Sequence, residues 1–189
     1  YSTSMKIVDS PTPASNPICK KNGAPNIFLT YVFSAFNVSM AVVFLLLSLP
    51  VFTIIAILIK IYDGGPIIYA HPRFGMHKKT FMMYKFRSLP NGSDQHIGGE
   101  MLSEAHVKLK FFQRFLRESR LDELPQLFNI IKRDMDFIGP RPLRAEVYES
   151  MCRQIKQYDR RFCVRPGLIG YSQLFTPHCT PKRIRAMID

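Results

Sequence analysis

The chain has 189 residues, a length that suits one domain and an appendage, and its 26 Lys and Arg against 14 Asp and Glu give a formal charge of +12. That excess points to phosphate-bearing partners: nucleic acid, anionic lipid headgroups or a phosphorylated substrate. Cys19, Cys152, Cys163 and Cys179 have no Cys-x-x-Cys spacing and the histidines no His-x-x-x-His pattern, which argues against a structural zinc site and makes free thiols in a reducing cytosol the expectation.

Residues 1–26, rich in Ser, Pro and Asn, read as a flexible lead-in. Between Lys21 and Lys60 there is no Asp, Glu, Lys, Arg or His. As a straight helix, residues 27–59 would run about 50 Å, whereas about 20 apolar residues cross a bilayer, so the segment must tilt, overhang or bend. Pro50 supplies a bend, because it lacks an amide donor and its ring opposes the carbonyl of Leu46. The Ser48 hydroxyl is near enough to satisfy freed backbone groups. Lys20 and Lys21 precede the segment, and Lys60, Arg73, Lys78 and Lys79 follow it. A single span would leave one basic flank outside, against the positive-inside bias; a re-entrant hairpin keeps both inside. Flank charge alone leaves the two arrangements open.

Asp63-Gly64-Gly65-Pro66 is a turn by composition, followed by a short strand at Ile67–Ala70. A second strand is predicted at Thr80–Ser88, where alternation puts Lys85 and Arg87 on one face. Two such cations can grip a diphosphate, or simply line a solvated edge. Residues 89–99 form a Gly/Asn/Ser loop. Residues 101–118 have helical spacing, with Leu109, Phe112 and Leu116 on one side and Lys108, Lys110, Arg114 and Arg117 interspersed. Such a basic amphipathic helix can lie on a membrane or pack on the domain's own core.

Residues 119–127 read Ser-Arg-Leu-Asp-Glu-Leu-Pro-Gln-Leu. Asp122 and Glu123 are adjacent anions in a cationic chain, a pattern suited to holding a metal ion or attacking phosphorus. Ser119-x-x-Asp122 also has the form of a capping box, with Pro125 tolerated in a first helical turn, and local sequence alone favours the cap. A second helix is predicted from Leu124 to Lys132. Gly139-Pro-Arg-Pro142 sets Arg141 in a rigid turn, and Arg165-Pro-Gly167 makes another; a stiff turn lowers the entropy cost of presenting a guanidinium to phosphate. There is no P-loop, no Gly-x-Gly-x-x-Gly fingerprint and no nucleophile-elbow serine.

In order, these pieces closely resemble the bacterial sugar transferases known as monotopic phosphoglycosyl transferases. The resemblance rests on the apolar segment with Pro50, Gly65-Pro66, Arg73 and Gly75, Tyr84-Lys-Phe-Arg-Ser88, Arg114-Phe-Leu-Arg117 and Leu121-Asp-Glu-Leu-Pro-Gln-Leu127. Gly139-Pro-Arg-Pro142 and Arg165-Pro-Gly167 through Gln173 complete it. It covers roughly residues 27–173. The resemblance implies an α/β membrane-associated fold: a re-entrant membrane helix at 27–62, bent at Ser48 and Pro50, then a small cytosolic α/β catalytic domain with amphipathic interfacial helices at 63–189. That domain is expected to continue past Asp189. It further implies that Asp122 attacks the β-phosphorus of a UDP-sugar, releasing UMP, and that polyprenol phosphate takes the phosphosugar from the aspartyl intermediate. Glu123 would help hold Mg²⁺, and Lys85, Arg87, Arg114, Arg117, Arg141 and Asp189 would bind substrate.

The implied setting is the bacterial cytoplasmic membrane with the catalytic domain on the cytosolic face. Its partners are the sugar donor, the lipid acceptor and the membrane, with no nucleic acid; oligomers are compatible with it. The sequence departs from the family where Ser-Pro becomes Leu49-Pro50, and where Gly-Asp-Met-Ser becomes Arg133-Asp-Met-Asp136, adding a charge expected near the site. Two rival readings are a membrane-tethered basic binding protein without catalysis and a Mg²⁺-dependent membrane phosphohydrolase.

Overall fold

Residues 27–88, 111–155 and 157–175 are described by the structure, a computed structural model. The lead-in, the 89–99 loop, the first part of the predicted 101–118 helix and Asp189 lie outside these residues. The first element is a helix, α1 (Ile27–Asp63), that continues through Pro50. The Ser48 hydroxyl donates to the carbonyl of Leu45 at 3.1 Å and that of Thr53 to Leu49 at 2.9 Å. Ser48 therefore bonds one carbonyl before that of Leu46, which Pro50 deprives of its amide partner. Back-bonding of this kind bends a helix without breaking it.

Helix α1 is long and apolar enough to cross a membrane. Along it, Ser34, Ala41, Ser48 and Ile55 recur every seven residues, as do Val38, Leu45, Phe52 and Ile59, and all of these are buried or half-buried. A heptad repeat of this sort keeps one seam facing a partner. Phe33, Phe36, Val43, Leu47, Ile54, Ile57 and Ile61 lie off the seam and are exposed, an apolar face suited to lipid.

A mixed α/β region follows α1. Strands β1 (Ile68–Phe74) and β2 (Thr80–Phe86) form an antiparallel hairpin. β1 runs past the predicted Ala70 because the missing N–H of Pro72 falls in a strand that, among the described residues, has no second partner strand. Helix α2 (Phe111–Glu118), a 3-10 turn (Leu121–Glu123) and helix α3 (Gln126–Ile131) come next. Strand β3 (Asp136–Ile138), helix α4 (Ala145–Cys152), a 3-10 segment (Tyr158–Cys163), strand β4 (Gly167–Ile169) and helix α5 (Tyr171–Phe175) complete the order. β3 and β4 pair in parallel.

Two apolar clusters dock α1 on this region. Ala41 joins Phe81, Met83, Leu127, Ile130 and Met135, while Ile55 and Ile59 join Phe86 and Leu116. Leu124 packs against both clusters. The buried face of α2 thus serves the core through Leu116, whereas Phe111 and Phe115 remain exposed.

A polar clamp reinforces the first half of α1. Asn37 Nδ2 donates to Asp136 Oδ1 at 3.1 Å, and Arg165 donates to Ser34 Oγ at 3.2 Å while lying 3.7 Å from Asp136. Two expectations change here. Arg165 and the extra charge of Asp136 serve the contact with α1, because β3 and the Arg165-Pro-Gly turn lie against it. Of the cysteines, Cys152 is a free, exposed thiol but Cys163 is disulfide-bonded, contrary to the free-thiol expectation.

Gly139 and Gly167 let the two proline turns meet. A Cβ on Gly167 would lie 2.1 Å from the nitrogen of Gly139, and one on Gly139 would lie 2.6 Å from the carbonyl oxygen of Arg165. These are backbone clashes that no rotamer relieves. Gly167→Ala is expected to lower stability by about 3 kcal/mol, read as a fall in melting temperature of the detergent-solubilised chain.

Candidate functional site

The carboxylate pair sits on the 3-10 turn at Leu121–Glu123, and its position is set from behind. Leu124 anchors the turn in both apolar clusters, and Pro125 is fully buried. Asn129, also fully buried, accepts from the backbone N–H of Tyr84 at 3.0 Å and donates to the carbonyl of Met82 at 2.7 Å. Its amide therefore occupies the edge of β2 that β1 does not use, and locks α3 to the strand carrying Lys85.

Ser119 does not cap this turn. Its hydroxyl donates back to Phe115 at 2.7 Å and Leu116 at 3.3 Å, closing α2, and Arg120 enters the turn in the left-handed conformation with no side-chain cap. The capping-box pattern is real as sequence, but the reversal at Arg120 points the hydroxyl the other way. Asp122 is thereby left without a capping role.

Glu123 is the junction of the site. Its Oε1 accepts from Lys85 Nζ at 2.7 Å and from Arg141 at 2.9 Å. Lys85 reaches it from β2 and Arg141 from the Gly139–Pro142 turn. That turn is held by Gly167 N–H on the Pro140 carbonyl at 3.0 Å and by the buried Arg161 on the Arg141 carbonyl at 2.7 Å. Burial pushes the Glu123 carboxyl up, but the charges and hydrogen bonds of Arg141 and Lys85 together outweigh it and bring it down to about 2.

Asp122 differs from its neighbour. It is 8% exposed, and its nearest cation among the described residues is Lys85 at 4.0 Å, beyond hydrogen-bonding distance. Burial raises its carboxyl above the ordinary range; Lys85 opposes this, Glu123 adds to it, and Arg117 and Arg141 oppose it further. Adjacent carboxylates whose affinities for a proton are driven apart are suited to different tasks.

The other expected residues separate. Arg117 is half-buried and acts on Asp122 through its charge. Arg114 is 72% exposed and pairs with Glu118 one helical turn on at 3.1 Å, so it serves the surface of α2. Arg87 follows the end of β2, where its N–H extends the ladder to Ile67 at 3.0 Å. Asp189 lies outside the described residues. Arg161 was not foreseen, since only the fold brings it to the carbonyl of Arg141; its place in a basic Arg160-Arg161 pair looks like solvated charge.

Among the described residues no group of three or more His, Cys, Asp or Glu side chains could hold a metal ion. The pair nevertheless fits Mg²⁺, which commonly takes one or two carboxylates and completes its shell with substrate phosphates and water. Lys85 and Arg141 both converge on Oε1 of Glu123, which leaves Oε2 on the other side of the carboxylate from those two bonds.

The bacterial sugar transferase family model matches residues 29–187. The UDP-N-acetylgalactosamine-undecaprenyl-phosphate N-acetylgalactosaminephosphotransferase of Aeromonas hydrophila is 33% identical over 150 residues, 79% of this chain and 35% of that protein. The undecaprenyl-phosphate galactose phosphotransferase of Salmonella typhimurium is 40% identical over 127 residues, 59% of this chain and 26% of that protein. The UDP-glucose:undecaprenyl-phosphate glucose-1-phosphate transferase of Escherichia coli is 32% identical over 138 residues, 73% of this chain and 30% of that protein. The chain thus matches about a third or less of the length of these relatives.

Because the Glu123 carboxyl falls from 4.5 to about 2 on folding, it contributes stability above the unfolded value that is lost as pH falls through the folded one. The shift corresponds to about 3 kcal/mol. Unfolding of the solubilised chain between pH 5 and pH 2 is expected to show this acid-labile component, and Glu123→Gln to lack it. The same slope in both proteins would mean that Glu123 is not ion-paired in solution.

Proposed function

The chain belongs to the bacterial sugar transferase family, and we propose that it transfers a phosphosugar from a UDP-sugar to polyprenol phosphate, with Asp122 as nucleophile. The observation that carries this reading is the division of labour within the pair. Glu123 is neutralised by two hydrogen-bonded cations, whereas among the described residues buried Asp122 has none within hydrogen-bonding distance. A carboxylate in that state keeps its lone pairs available for phosphorus.

In the first half-reaction an Asp122 oxygen bonds to the β-phosphorus of the donor. The bond from that phosphorus to the bridging oxygen breaks, and UMP leaves with the oxygen and its electron pair. In the second, an oxygen of polyprenol phosphate attacks the same phosphorus, the aspartyl–phosphorus bond breaks, and the Asp122 carboxylate is regenerated. Lys85 and Arg141 hold Glu123 and offer their remaining donors to phosphate oxygens, and Arg117 adds positive charge beside the nucleophile. Glu123 is the residue that would hold Mg²⁺, which when bound offsets charge on the phosphates.

The exposed apolar face of α1 supports membrane attachment, and the back-bonded Ser48 beside Pro50 supports a bend there. With basic residues on both flanks, these favour a re-entrant helix that leaves the catalytic region on the cytosolic side.

Incubation with UDP-N-acetylgalactosamine, UDP-galactose or UDP-glucose, Mg²⁺ and polyprenol phosphate is expected to release UMP. Asp122→Asn should reduce that release by more than about 10³-fold; full activity in Asp122→Ala would remove the proposed nucleophile. For topology, single-cysteine versions carrying Cys152 or Lys21→Cys should react with an impermeant thiol reagent from the same side of the membrane. Labelling from opposite sides would establish a crossing helix instead.

A further inference from the structure

The face of the hairpin that presents Lys85 also carries charge that the proposed chemistry leaves unused. Tyr69 pairs with Lys85, His71 with Met83 and Arg73 with Phe81, so Tyr69, His71, Arg73 and Lys85 share one side of the sheet. At its far end the N–H of Phe74 donates to the carbonyl of Leu143 at 3.0 Å. That bridge sets Arg73 beside the segment holding Arg141 and Arg144.

Arg73 therefore lies close enough to Arg144 and Arg141 to feel both charges, and of the three only Arg141 has an ion-pair partner among the described residues, Glu123. The Nε of Arg73 is buried with no hydrogen-bond partner, and among the described residues neither Arg73 nor Arg144 forms an ion pair. Burial, then the charges of Arg144 and Arg141, bring Arg73 down to about 10, with the charge of Glu146 opposing. A buried donor without an acceptor, among like charges, is costly unless an anion completes it. Guanidinium groups match phosphate oxygens through paired hydrogen bonds. Arg73 is half-buried and the Arg141 side chain 38% exposed, so the cluster is open to solvent.

We propose that Arg73 and Arg144, with the exposed side of Arg141, form a second phosphate subsite, next to the carboxylate pair and joined to it through the Arg141–Glu123 bond. The inference rests on the phosphosugar-transfer reading. It assigns to the cluster a phosphate other than the one under attack, either the departing phosphate of the nucleotide or the phosphate of the lipid acceptor.

The test titrates inorganic phosphate and UMP into the detergent-solubilised full chain by calorimetry and measures KM for UDP-sugar and for polyprenol phosphate. Arg144→Gln and Arg73→Lys are expected to weaken inorganic phosphate binding about tenfold. Weaker UMP binding with an unchanged KM for polyprenol phosphate identifies the nucleotide phosphate as occupant, and the reverse identifies the lipid phosphate. Arg144 is half-buried, so Arg144→Gln is the variant to rely on if Arg73→Lys does not fold. Unchanged phosphate, UMP and acceptor behaviour in folded Arg144→Gln overturns the subsite. If Arg144→Gln loses phosphate binding but the native chain turns over no UDP-sugar, the transfer reading falls while the anion subsite stands.

Discussion

A single carboxylate oxygen holds the site together. Oε1 of Glu123 accepts from Lys85 and Arg141, and in doing so it ties β2, the 3-10 turn and the proline turn into one unit. None of the three groups is stable there alone. A buried carboxylate without cations would take up a proton, and two cations without the carboxylate would repel each other. Once the trio is formed, Asp122 is left one residue away, desolvated and, among the described residues, without a hydrogen-bonded cation of its own.

That trio depends on backbone placement more than on charge. Asn129 fixes β2 to α3 through two hydrogen bonds at the strand edge. Gly139 and Gly167 allow the proline turns to approach within distances no side chain would tolerate. Arg161 then holds the Arg141 carbonyl from below. These residues carry no part of the proposed chemistry, yet each sets where a charged group points.

Helix α1 faces two solvents. Its heptad seam docks on the protein and its remaining faces present apolar side chains outward. The small and polar seam residues Ser34, Asn37 and Ala41 permit a close approach and a clamp with Asp136 and Arg165. Asp136 stands where the related pattern has Ser, and it acquires its partners from α1 and the Arg165 turn. A substitution that reads locally as an added charge at the site is, in three dimensions, part of the helix anchor.

The long apolar helix, the β2 strand and the short helix after Pro125 were legible in the sequence because each rests on local signals: continuous hydropathy, alternation and proline placement. Asp122 and Glu123 stood out as adjacent like charges, but local pattern alone favoured a cap there. The docking seam was hidden, since the exposed side of α1 is as apolar as the buried side, which Ser34, Asn37 and Ser48 mark with polar groups. The capping box failed at Arg120, whose left-handed turn no pattern of four residues announces. Which arginines work together across the fold could not be read at all: Arg165 turns to Asp136 and Arg141 to Glu123, while among the described residues Arg73 forms no ion pair. Charge type and local conformation are properties of the chain, whereas the partner of a long cationic side chain is chosen by contacts between segments far apart in sequence, and only the tertiary structure supplies those.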